Sequence, residues 1–99
     1  MPSPAEVVFI VTAYSWGCGA TGFTFTERIP HHERTVAVDP KKVKLYSRLA
    51  IEGVGVRIAE DTGGGIKGNR LDVFMASCEE AKQFGRKALR VLLLPEGVK

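Results

Sequence analysis

The stretch Ile58-Ala59-Glu60-Asp61-Thr62-Gly63-Gly64-Gly65-Ile66-Lys67-Gly68-Asn69-Arg70-Leu71-Asp72-Val73-Phe74 decides how this chain folds. Leading into it, Val54, Val56 and Ile58 alternate with Gly55, Arg57 and Ala59, the period of two that a β-strand imposes. At its far end Leu71, Val73 and Met75 share one face of a second strand over 70–75, which turns Asp72 to the opposite face. Between the strands lie four glycines flanked by two carboxylates. Glycine takes positive φ and lets backbone amides approach a ligand closely. A strand–loop–strand hairpin would bring Asp61 and Asp72 together at the two ends of one loop, with Lys67 and Arg70 between them. The plain alternative is a glycine hairpin with turn-forming aspartates and solvated charges.

Working outward, residues 1–6 read as a frayed lead-in and 96–99 as a tail, leaving one domain over 7–95. Val7–Tyr14 is rich in β-branched and aromatic residues and predicts a buried strand. Ser15–Gly22 is a loop, and Phe23-Thr24-Phe25-Thr26 alternates as a half-buried strand would. Glu27–Arg34 is an exposed connection. Thr35–Val38 is a short strand that Asp39-Pro40 ends, because proline cannot continue a ladder. Leu49–Glu52 is a strand turned by Gly53, and Val91–Leu94 is a last strand stopped by Pro95. Ser77 followed by Glu80 is a capping box, and Ala81, Phe84 and Ala88 predict an amphipathic helix of about three turns. The total is six or seven strands and one helix.

Composition agrees. The chain has 99 residues, 44% hydrophobic and 25% charged, which excludes a disordered tail, a collagen-like repeat and a coiled coil. No apolar run approaches the ~20 residues of a membrane-spanning helix. Eleven glycines point to tight turns and an all-β fold, β-rich with one short helix. So small a core suits a closed sheet with few open edges.

The net charge of +3 is spread along the chain. It lacks the dense basic stripe with interleaved aromatics of a nucleic-acid binder, and it suits a polyanion such as an acidic cell-wall polymer. Cys18 and Cys78 form no metal pattern and read first as free, small apolar residues, with a disulfide open to an exported protein. The N-terminus has no basic n-region, and Val7–Val11 is too short for a signal h-region. A secreted or cell-envelope location is therefore expected only if an export segment has been removed.

The acids are unevenly chosen: eight Glu and three Asp, namely Asp39, Asp61 and Asp72. Asp61-Thr62-Gly63 matches the aspartic-protease triplet, which needs two aspartates sharing a proton across a dimer. Here Glu60 stands where an apolar residue is normal, and the helical end lacks the second glycine-bearing segment that cradles such a triplet. Three aspartates could also hold a hard cation, but the spacing of a calcium loop is absent. No metal and no cofactor are expected.

Four blocks together resemble a known family: Val11-Thr12-Ala13-Tyr14, Thr35-Val36-Ala37-Val38-Asp39-Pro40, the Ile58–Phe74 stretch, and Ala81-Lys82-Gln83-Phe84-Gly85. They resemble the 3D domain, named for three aspartates, which includes stationary-phase survival proteins and the catalytic domain of membrane-bound lytic transglycosylase A. The resemblance covers roughly residues 8–94. This chain departs from the pattern in the longer stretch between Gly22 and Asp39, in Tyr46 where glycine is usual, and in Gly65 where alanine is usual.

The resemblance implies a six-stranded double-psi β-barrel. It also implies non-hydrolytic cleavage of the β-1,4 bond between N-acetylmuramic acid and N-acetylglucosamine, ending in a 1,6-anhydro-muramic product. Ordinary glycosidases use two carboxylates, but an intramolecular attack needs one, cycling from acid to base. That group must be protonated at working pH, so its pKa must rise above the ~3.9 of free Asp, by burial or by a neighbouring carboxylate. Asp72, between Leu71 and Val73, matches the family's catalytic aspartate; Asp61 would raise its pKa or steady developing positive charge, and Asp39 would complete the acidic cluster. Thr12, Tyr14, Trp16, Thr62, Gly63, Gly64, Lys67 and Arg70 are the candidate substrate-binding residues. Packing roles for Tyr14 and Trp16, and solvated ones for Lys67 and Arg70, stand beside these. The implied partner is a peptidoglycan glycan strand, gripped by a homodimer or by one module of a longer parent. The alternative is a non-catalytic barrel module binding cell-wall glycan or a protein partner.

Overall fold

The computed structural model describes residues 6–95. The expected tail at 96–99 and the lead-in, apart from Glu6, lie outside the described residues.

The strands are β1 (Glu6–Trp16), β2 (Gly19–Ala20), β3 (Thr35–Val38), β4 (Arg48–Ile51), β5 (Gly55–Asp61), β6 (Arg70–Phe74) and β7 (Lys87–Leu93), with α1 (Cys78–Phe84) between the last two. Their order is β2-β1-β6-β3-β5-β4-β7, and β1 pairs again with β7. Six strands thus close into a barrel, with β2 outside the ring. Strand β1 is long enough to serve three neighbours. Its first half runs antiparallel to β7, its second half parallel to β6, and Ser15 and Trp16 pair with Gly19 and Ala20. Strands β3 and β5 form the other parallel pair, and β3 runs antiparallel to β6. This is the six-stranded double-psi β-barrel implied by the resemblance.

Alternation fills the barrel. Val11, Leu71, Val73, Val36, Val38, Leu49, Ala59 and Val91 point inward and are buried, joined by Phe9, Val43 and Ile51. A second apolar cluster of Tyr14, Ala20, Ala37, Ile66 and Phe74 covers the outer face of the β1–β6–β3 sheet. Residues opposite one another in a ladder share a face, so Asp72, between inward Leu71 and Val73, faces this outer side as its alternation predicts.

Several expectations are corrected. Asp61 and Asp72 do not close a hairpin, because β3 lies between β5 and β6. Phe23–Thr26 is not a strand: the Thr24 N–H donates to Arg28 C=O and the Glu27 N–H to Thr24 C=O, closing a local turn. Nor is 15–22 all loop, since β1 runs to Trp16 and Gly19–Ala20 adds a short parallel pairing.

The helix is two turns rather than three. Gly85, at φ 69°, caps α1, and its N–H donates to Ala81 C=O. Beyond it Ala88 pairs with Ile10, so sheet pairing has taken the residue that helical spacing claimed. At the other end the cap holds as predicted: the Ser77 hydroxyl accepts from the Glu80 N–H and donates to Glu80 Oε2.

Cys18 and Cys78 are disulfide-bonded rather than free, with Cα atoms 5.6 Å apart. The bond ties the turn after β1 to the first residue of α1. The two positions are 60 residues apart, so only the fold brings them together. Closing a loop of that size stabilises the fold by about 4 kcal/mol on the chain-entropy account.

Candidate functional site

One row of residues crosses four strands on the outer face of the barrel. Thr12 on β1 opposes Asp72 on β6, Asp72 opposes Ala37 on β3, and Ala37 opposes Asp61 on β5. The two carboxylates therefore flank one small side chain, two strand spacings apart, or about 10 Å between Cα atoms.

A β-bulge creates this alignment. The β3–β5 register runs Thr35 with Ile58 and Val36 with Ala59, then shifts so that Ala37 meets Asp61 instead of Glu60. Bulges re-aim side chains and concentrate beside functional sites. Without the extra residue Asp61 would fall on the opposite face from Asp72. Periodicity alone gives no sign of it.

The two acids are held differently. Asp61 accepts three hydrogen bonds: from the Tyr14 hydroxyl at 2.9 Å on Oδ2, and from the N–H groups of Phe25 and Thr62, each at 2.9 Å, on Oδ1. Asp72 accepts one, from the Thr12 hydroxyl at 3.1 Å. Burial holds the Asp72 carboxyl above the usual carboxylate range. The Thr12 hydrogen bond and the positive charge of Arg70 pull the other way, and the charge of Asp61 adds a smaller push upward. Burial also drives the Tyr14 phenol far above its ordinary value, with Asp61 beside it and Asp72 contributing. Tyr14 thus keeps its proton and donates a hydrogen bond to Asp61, its ring buried edge-on against Phe74 at 5.2 Å.

Asp39 binds backbone N–H groups. Its Oδ2 accepts from the Gly68 N–H at 2.8 Å and its Oδ1 from the Lys41 N–H at 3.0 Å. These bonds, with the charges of Lys67 and Lys41, hold its carboxyl below the usual range. The carboxylate pins the far end of the glycine loop, where Gly68 takes φ 69°. Among the described residues no three His, Cys, Asp or Glu side chains gather as metal ligands would.

The remaining candidates fall around this frame. Thr62, Gly63 and Gly64 leave the site along the loop. A Cβ on Gly63 would meet Ile66 at 3.1 Å, whereas at Gly64 it would meet nothing within 4 Å. Lys67 acts on Asp39 and Arg70 on Asp72. Trp16 is 46% exposed at the rim, edge-on to Phe74 at 5.7 Å. The structure brings Thr12, Tyr14, Asp61 and Asp72 together along the row, with Asp39, Lys67 and Arg70 at the end of the loop that enters β6. A cavity of about 300 Å³ lies elsewhere, between β4, β7 and the start of β1, lined by Ile51, Leu92 and the Glu52–Arg90 ion pair. None of the candidate residues lines it.

Two positions that shape this region carried little sequence signal. Glu60 is fully buried, and its carboxylate is met by Arg28 at 2.7 Å, Arg34 at 2.9 Å and the Thr35 hydroxyl at 2.7 Å. It ties residues 24–34 to the barrel beside the bulge. Ile66, alone in being apolar within the glycine loop, turns under it and joins the outer cluster. That isolation was the available clue.

A closed double-psi barrel with paired aspartates on its outer face defines a class, and the comparisons give it a family. The signature of the 3D domain matches residues 34–95, and the chain belongs to that family. It is 38% identical over 87 residues to YabE of Bacillus subtilis (strain 168), whose name assigns it provisionally to cell wall shaping; the match covers 84% of this chain and 21% of YabE. It is 37% identical over 95 residues to the cell wall-binding protein YocH of the same organism, covering 90% of this chain and 32% of YocH. The chain thus spans about a third or less of these relatives. The lytic transglycosylase LtgG of Burkholderia pseudomallei shares the fold, with a TM-score of 0.54 at 17% identity over 77% of this chain and 28% of that one.

Proposed function

We infer that this domain is the catalytic module of a peptidoglycan lytic transglycosylase, with Asp72 as its single acid and base. The observation that carries this is the outer row Thr12–Asp72–Ala37–Asp61, in which two carboxylates flank one small side chain and burial raises the carboxyl of Asp72. The protonated Asp72 gives its proton to the oxygen of the β-1,4 bond, and the C1–O bond breaks with departure of the N-acetylglucosamine 4-hydroxyl. Positive charge develops at C1 of the muramic sugar, within the field of Asp61. The Asp72 carboxylate then takes the proton of the muramic C6 hydroxyl as that oxygen bonds C1. The 1,6-anhydro ring closes and Asp72 is protonated again, without water entering.

The division of labour follows from the hydrogen bonds. Asp61, met by three donors, is fixed in place, while Asp72, met by one, is free to exchange its proton. Thr12 orients that carboxyl and Tyr14 positions Asp61. Membership in the 3D family and the cell-wall names of the relatives support the substrate class. The Cys18–Cys78 disulfide supports work in an oxidising compartment, at the cell envelope or beyond it. Among the described residues no helix is long and apolar enough to cross a membrane.

The test is digestion of purified peptidoglycan with mass analysis of the released muropeptides. Anhydro-muramic ends, lighter than hydrolytic ends by one water, appear with the wild type and vanish with Asp72→Asn while the fold is retained. Reducing ends would mean hydrolysis. Binding with no release at any pH would favour the alternative, a non-catalytic glycan-binding module; YocH is named a cell wall-binding protein.

A further inference from the structure

Between β2 and β3 the chain turns its side chains the wrong way round for a soluble loop. Thr24 is 5% exposed, whereas Phe23 and Phe25 are 72% and 64% exposed. The threonines face inward because their hydroxyls are used there. Thr24 and Thr26 bond each other, Thr24 accepts from the Arg28 N–H, and Thr26 donates to Glu60 C=O at 2.9 Å. Arg28 and Arg34 grip the buried Glu60 carboxylate from the same segment. The arm is thus fastened to the barrel at several points, and its two phenyl rings are held out in water by that fastening.

The arm is also continuous with the site, since the Phe25 N–H donates to Asp61 Oδ1. The Phe25 ring therefore starts one Cα away from a group that holds a site carboxylate. It lies before residue 34, where the family match begins.

We propose that Phe25, with Phe23 beside it, is a sugar-stacking subsite that binds a pyranose of the glycan strand next to the bond at Asp72. This rests on the transglycosylase reading above and names the residues that would select and hold its substrate. The chemistry points to a saccharide. A pyranose presents an apolar C–H face for an aromatic ring and hydroxyls for nearby carboxylates, and the arm and the Asp61–Asp72 pair offer both side by side. Because the backbone that carries the rings is already fastened, only the side-chain rotamers remain to be ordered on binding.

The experiment uses purified, peptide-free peptidoglycan strands, with binding measured by calorimetry and turnover by anhydro-end release. Any residue but proline keeps the N–H at position 25, so Phe25→Ala leaves the Asp61 hydrogen bond intact and removes only an exposed ring; a thermal melt equal to wild type verifies this. Phe25→Ala weakens binding and raises KM on the order of tenfold, with kcat within about twofold of wild type. Phe25→Trp retains affinity and Phe25→Leu does not, since Leu is apolar but has no ring face. Phe23→Ala gives a smaller loss in the same sense. Unchanged affinity in Phe25→Ala, or full affinity in Phe25→Leu, overturns the subsite while leaving the transglycosylase reading intact. So does a wild-type dimer that Phe25→Ala converts to monomer, which would make the arm a contact between two copies. A wild type that neither binds nor cleaves the strands overturns both.

Discussion

Replacing Glu60 tests the tie between the barrel and the arm that reaches the site. The carboxylate is 0% exposed and accepts from two arginines and a threonine; Arg34 is 28% exposed and Arg28 49%. Removing one partner of a buried pair costs ~3–5 kcal/mol when nothing else compensates the remaining charge. Arg28 still compensates after Arg34→Leu, so that change costs about 2–3 kcal/mol. Arg28→Ala removes a half-exposed cation screened by water and costs about 1 kcal/mol or less. Glu60→Gln keeps the shape but removes both ion pairs and sets an amide NH2 against the donors of Arg28 and Arg34, costing about 3 kcal/mol. In a domain this small that lowers the melting temperature on the order of 15 °C. Urea unfolding with an unchanged m-value reads the free energies. Amide hydrogen exchange at Phe25 and Thr26 reads the arm, because Glu60→Gln loosens both N–H groups ahead of global unfolding. Equal costs for Arg28→Ala and Arg34→Leu, or a Glu60→Gln cost below about 1 kcal/mol, would refute the anchor.

Opposite signs are expected around Asp72. Thr12→Val removes a hydrogen bond that lowers its pKa, and Asp61→Asn removes a charge that raises it. The pH at which the carboxyl loses its proton, followed by NMR, therefore moves up in the first variant and down in the second; the alkaline limb of any turnover moves with it. Asp39 contributes stability that is present above the usual carboxylate pKa of ~3.9 and is lost as pH falls through its lowered native value, so Asp39→Asn flattens the acid limb of a melting-temperature profile. Reducing the disulfide, or the pair Cys18→Ser with Cys78→Ser, costs about 4 kcal/mol in urea unfolding; an unchanged midpoint would show that the bond constrains nothing in the unfolded chain. Tyr14→Phe takes one of three donors from Asp61 and costs about 1–2 kcal/mol, read by the same unfolding curves.

Much of this was legible along the chain wherever a local rule and the fold agreed. The alternation of Leu71 and Val73 faced Asp72 outward, because strand geometry sets side-chain direction within a few residues. Pro40 and Pro95 marked strand ends, and Ser77 marked the start of the helix. The four blocks carrying the 3D resemblance supplied the barrel topology, which no local pattern could. Where two local rules competed, the long-range partner decided. Ala88 satisfied a helical repeat but found a pairing partner in Ile10. Phe23 and Phe25 had strand-like alternation, but the hydrogen-bonding needs of Thr24, Thr26 and buried Glu60 reversed which side faces the protein.

By itself the amino-acid sequence determined the inventory: a β-rich chain with a glycine loop, three aspartates, and the face of the strand on which Asp72 sits. These depend on residue type and short-range periodicity, which are written in order along the chain. The tertiary structure alone decided that β3 separates the two acids, that a bulge turns Asp61 to the side of Asp72, that Asp39 serves the backbone of the loop, and that Cys18 meets Cys78. Each of these is a relation between segments far apart in sequence. Register, desolvation and proximity arise only when the barrel closes, and those three set what each carboxyl can do.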